Sequence, residues 1–150
     1  MGKIFDRLVL EIKDKRLYLM AEYFDSFEEP ETFLREVNDL TQNIGGSDQG
    51  GYLYCHFPQV LDEYELSIGE GFDGIEFSLF EDKFSVDVPT FRKYLRMACE
   101  VYWTEHPETK AQLEEYLARP QPPLEDGALP EWRKRRDAGE YPKPISEAEV

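Results

Sequence analysis

The side chains best equipped for nucleophilic attack or proton transfer are few: Cys55, His56, Cys99 and His106. A thiol nucleophile needs a base within hydrogen-bond reach. Cys55 and His56 are neighbours in an apolar stretch. On a strand, neighbours point to opposite faces, so these two cannot serve each other. His56 with a distant acid would form a dyad, but the commoner role of such a residue is a half-buried strand position. A small enzyme using His56 is therefore the lesser alternative. His106 precedes Pro107 and marks a helix boundary. The two histidines and two cysteines match no zinc spacing, and Asp73-Gly74 lacks the alternating ligands and closing Glu of a calcium loop. The adjacent carboxylates Asp62-Glu63 and Glu81-Asp82 have a glycosidase pair's composition, yet adjacent acids usually point into water rather than across a cleft. The glycine-rich loop from Gly45 to Gly51 is flexible enough to wrap a phosphate. No Lys follows it, so it reads as a helix-to-strand connector. Neither catalysis nor a metal is indicated, and no cofactor is expected.

Binding is what remains, and charge sets the sign of the partner. The 150 residues carry 32 Asp and Glu against 17 Lys and Arg, net −15, which repels nucleic acid and anionic membranes and attracts cationic proteins. Hydrophobic residues at 41% and aromatics at 14% are too many for a disordered chain and enough for one packed domain. The start of the sequence has no signal-like apolar run, Asp6 stands where a myristoylation motif needs a hydroxyl residue, and no stretch is long enough to span a bilayer. Cys55 and Cys99, flanked by apolar residues, read as buried free thiols. The expected location is the cytoplasm.

The elements that must position these groups follow from periodicity. Residues 7–24 alternate in Leu8, Leu10, Ile12 and then Leu17, Leu19, suggesting two short strands; Leu17, Met20, Ala21 and Phe24 also fit helical spacing. Between Ser26 and Asn43, Pro30 and early acids precede a stripe of Phe33, Leu34, Val37 and Leu40, so a helix is expected there, ending at Gly45-Gly46. A strand at 52–57 stops at Pro58, and a hairpin pairs 75–80 with 83–86 around Glu81-Asp82. Asp87 caps a helix over roughly 88–105 with Phe91, Leu95, Ala98, Cys99 and Tyr102 inward. A second helix after His106-Pro107 uses Ala111, Leu113, Tyr116 and Leu117. The resulting class is α+β: a small antiparallel β-sheet with helices packed on one side. The domain spans 1–118. Residues 119–150 hold six of the ten prolines and form a Pro-rich C-terminal extension, in which the basic turn Trp132 to Arg136 is expected to dock on the protein's own acidic surface.

Division at Ala118 leaves the extension at net −1, so −14 belongs to the domain. Residues 61–87 hold nine acids against Lys83 alone, denser than a face that mixes signs for ion pairing. Acids alternate there with Tyr64, Leu66, Ile68, Phe72 and Ile75, the pattern of a strand projecting a carboxylate row. The partner-binding candidates are Asp62, Glu63, Glu65, Asp73, Glu76, Glu81 and Asp82, with Tyr64, Phe72 and Tyr52 as aromatic anchors. Ordinary strand patterning with acidic outward positions is the plainer account. An acidic adaptor or nucleic-acid mimic that occupies some basic protein satisfies the same residues.

Three stretches in this order, GGSDQGGYLYCHFP, GIEFSLFEDKFSV and FRKYLRMACEVYWTEHPE, resemble the immunity proteins of bacterial contact-dependent growth inhibition systems, in particular a group paired with ribonuclease toxins. The resemblance covers roughly 20–118 and rests on core and turn residues rather than a catalytic signature. It implies a cytoplasmic protein, not an enzyme, that binds a basic nuclease toxin domain as a 1:1 heterodimer and blocks its active site or RNA-binding surface. Direct contact with nucleic acid or membrane is not part of that expectation.

Overall fold

A computed structural model describes residues 17–48, 51–58, 74–123, 134, 137–139 and 143–146. Helix α1, Tyr18–Asp25, opens this part. Its presence corrects the expectation of a strand around Leu17 and Leu19, while residues 7–16 lie outside the described part. The reason is burial: Leu17, Met20, Ala21 and Phe24 are all covered, which suits a period of three to four, and Leu19 is only half-buried. Helix α2, Pro30–Leu40, begins with Pro30 in its first turn and Glu31 near its positive end. It does not run to the glycines. Asn43 takes a left-handed φ of 63°, Ile44 N donates to Asp39 O at 3.0 Å and Asn43 N to Leu40 O at 3.3 Å. This Schellman closure is one that Asn tolerates nearly as well as Gly.

The glycines serve the sheet instead. Strand β1, Gly46–Ser47, pairs antiparallel with β2, Leu53–His56, so the loop expected as a plain connector is partly a hairpin arm. A Cβ on Gly45 would lie 2.1 Å from Cys55 O, a close approach only glycine allows. Asp48 organises the turn: its Oδ1 accepts from Tyr52 N at 3.0 Å and Leu53 N at 3.2 Å. Strand β3, Ile75–Leu79, and strand β4, Asp82–Val86, complete an antiparallel sheet of order β1-β2-β3-β4. Leu79 pairs with Asp82, so the turn is Phe80-Glu81, one residue before the expected Glu81-Asp82. Helix α3, Val88–Glu105, starts at Asp87, whose side chain accepts from Thr90 N at 2.9 Å. After a 3-10 turn at Pro107–Thr109 comes α4, Lys110–Ala118. Leu113 and Leu117 are buried in α4, but Ala111, expected in its apolar stripe, is exposed.

Helix α1 packs on β2 and β3, α3 on α1, and α4 on α2 and α3, which makes one helical layer over one face of the sheet. The core between them is aromatic: Phe77 meets the rings of Tyr23, Phe24 and Phe91, and Phe33 stacks on Tyr102 at 3.9 Å. Just beyond Ala118, Arg119 and Gln121 bind back to the helices. Gln121 Nε2 donates to Leu40 O at 2.7 Å, and Arg119 Nη2 donates to Asn38 Oδ1 at 2.7 Å, satisfying acceptors at the end of α2. Further on, Ile145 is buried and forms a parallel bridge with Val86: Ile145 N donates to Ser85 O at 2.8 Å and Asp87 N to Ile145 O at 3.0 Å. This bridge pairs the outer edge of β4 at its Val86 end.

Candidate partner-binding face

Alternation on β2 sends Leu53, Cys55 and Phe57 into the core and leaves Tyr52, Tyr54 and His56 on the opposite face. In register, Tyr54 faces Ser78 and then Lys83, while His56 faces Glu76 and then Ser85. The Tyr54 ring stacks on His56 at 5.5 Å and 9°, and Tyr54 Oη donates to Gly51 O at 2.9 Å, so this tyrosine is held in place although 40% exposed. At the end of the row Tyr52, 59% exposed, meets Phe80, 77% exposed, with centroids 5.6 Å apart. A shallow hollow of about 340 Å³ lies beside β1, lined by Gly46, Ser47, Tyr54, His56, Phe57 and Pro58 among others.

Cys55 is fully buried beneath this face. Burial pushes its thiol well above the ordinary range, and the nearby Glu36 and Glu76 carboxylates add to the rise, so it stays protonated and a poor nucleophile. Burial likewise raises Cys99 in α3, and both cysteines are free thiols as expected. Below β1, Tyr23 Oη donates to Glu36 Oε1. Burial raises both groups, and the bond from Tyr23 partly offsets the rise at Glu36. Among the described residues no group of three His, Cys, Asp or Glu is placed to hold a metal ion.

The profile of a family described as CDI immunity protein matches residues 16–117. The chain belongs to the CDI immunity proteins. These are the immunity components of contact-dependent growth inhibition, so the partner is a protein toxin. No curated protein matches the chain significantly. Among the described residues no helix is long and apolar enough to cross a membrane.

Within this CDI immunity chain the expected partner-binding residues divide into two groups. Asp62, Glu63, Tyr64, Glu65, Phe72 and Asp73 lie outside the described residues. Glu76 is half-buried on the outer face of β3; Glu81 and Asp82 are exposed at the tip of the β3–β4 hairpin. Tyr52, proposed as an anchor from position alone, is exposed beside that tip. Of the basic turn Trp132 to Arg136 only Lys134 is described, and it is exposed. Sequence reading missed Phe80 and Tyr54. The available signal for Phe80 was the apolar pair Leu79-Phe80, which breaks the strict alternation of β3.

Proposed function

We propose that this immunity protein is a non-catalytic, cytoplasmic inhibitor that forms a 1:1 complex with a cognate ribonuclease toxin domain. In this reading it neutralises the toxin by covering its active site or RNA-binding surface. The observation that carries the reading is the family match over residues 16–117, and the net charge of −15 gives it a mechanism. A nuclease must be cationic where it holds RNA. An inhibitor rich in carboxylates is steered to that surface and competes there with phosphates. The acids of 61–87 act chiefly on association rate and orientation, as rim charges do.

The test begins with the gene beside this one, which should encode a toxin domain. Co-purified with that domain, the protein should leave RNA uncleaved, and binding should weaken as salt rises. Reversing Asp62, Glu63, Asp73 and Glu76 together should slow association at low salt by about tenfold or more. An association rate unchanged by all four reversals would reduce the acidic segment to a solvated face.

A further inference from the structure

The turn between β3 and β4 puts a phenylalanine where glycine or asparagine is the rule. Phe80 has a φ of 54°, a left-handed conformation that crowds a bulky side chain against its own backbone. It is also the most exposed of the large apolar side chains among the described residues. Strain and exposure both disfavour this residue in the free protein, and packing does not offset them. Its ring meets that of Tyr52, which is itself largely in water. Residues held in strained backbone conformations cluster where a ligand or partner is engaged.

The surroundings narrow the kind of partner. Glu81 and Asp82, both exposed, follow Phe80 directly, and the ring of Tyr52, from the loop before β2, meets Phe80 at this hairpin turn. Aromatic side chains ringed by charge have the anatomy of an interface anchor: the rings enter a dry pocket and supply affinity, while the charges at the rim set orientation. A second copy of this chain is a poor occupant, because it would bring two acidic tips together in a molecule of net charge −15.

We infer that Phe80 and Tyr52 anchor the toxin by inserting into an apolar hollow rimmed by Lys or Arg side chains, which pair with Glu81 and Asp82. The inference rests on the toxin-binding reading and adds the surface that does the binding. It separates the anchor at the hairpin tip from the acidic segment 61–73, whose part is steering.

Phe80→Gly tests it cleanly, since glycine accepts the positive φ and the variant should unfold at the same temperature as the wild type or higher. Tyr52→Ser is the second variant, because Tyr52 meets the loop through its backbone N–H, which the substitution keeps. The probe is the catalytically inactivated toxin domain encoded beside this gene, with calorimetry to read affinity and sedimentation to read self-association. Each substitution should weaken binding by about 30-fold or more. Wild type that binds while both variants bind within about threefold of it overturns the anchor and leaves the immunity reading intact. Wild type that fails to bind defeats the immunity reading, and the anchor with it. A wild-type dimer that becomes monomeric in Phe80→Gly would reassign the patch to self-association and overturn the anchor.

Discussion

Phe77 and Phe80 lie three residues apart on one hairpin and live in opposite environments. Phe77 is fully buried and makes ring contacts with Tyr23, Phe24, Phe84 and Phe91. Phe80 meets Tyr52 at the rim and is otherwise largely in water. The inner face of the sheet is where burial of apolar area stabilises the fold, by roughly 25 cal/mol per Å² covered. The outer face keeps the aromatic side chains of Tyr52, Tyr54 and Phe80 exposed, where they add little to the stability of the fold. One residue type thus has two uses, and substitution can tell them apart.

The largest effect is expected on the inner face. Phe77→Ala should lower stability by about 3–5 kcal/mol, because it removes a ring that four others surround and leaves a cavity the helices cannot close. Urea denaturation reads this directly, and a loss below about 1 kcal/mol would mean the ring cluster does not hold the two layers together. Toxin binding should fall only in proportion to the folded fraction, the reverse of the pattern for Phe80→Gly. Next in size is Gly45→Ala. Its Cβ would stand 2.1 Å from Cys55 O, so β1 must move away from β2. A loss of about 1–3 kcal/mol is expected, the usual range for overpacking. The shift also reaches the loop that carries Tyr52, so this one variant should impair both faces. Faster hydrogen exchange at Asp48, whose N–H donates to Leu53 O at 2.8 Å, and at Leu53, whose N–H donates to Asp48 Oδ1 at 3.2 Å, would locate the damage.

The contrast also explains what was legible beforehand. Where one face is buried and the other wet, pattern and structure agree: Phe91, Leu95, Ala98, Cys99 and Tyr102 mark the buried side of α3, and Asp87 its cap. The α+β class follows from such stripes. Segment 17–25 was ambiguous because its apolar residues satisfy both periods, and only packing against β2 and β3 selects the helix. The helix stop at Asn43 was hidden by two nearby glycines that look like better terminators, the first of which, Gly45, is needed for close approach to β2. The outer face was the hardest to read. Acids announce themselves by density, whereas Phe80 looks like one more core residue until the register places it in the turn. The bridge of Ile145 to Val86 joins positions far apart in sequence, and no local pattern encodes it.

The smallest expected effect concerns where a carboxylate can sit. Glu81 and Asp82 stand in water at the hairpin tip, whereas Glu36 lies beneath β1, its carboxyl raised by burial against the lowering influence of Tyr23. Folded protein therefore holds the Glu36 proton more tightly than the unfolded chain does. The stability this contributes is fully present below the ordinary value of 4.5 and is lost as pH rises through the folded value. Glu36→Gln keeps an oxygen to accept from Tyr23 Oη and removes the titration. At neutral pH the variant should be at least as stable as the wild type, and its stability should fall less between pH 4 and 7 when thermal midpoints are compared across that range. Identical pH profiles would show Glu36 to be as well solvated as the carboxylates at the hairpin tip. The difference between the two faces would then lie in their aromatic rings alone.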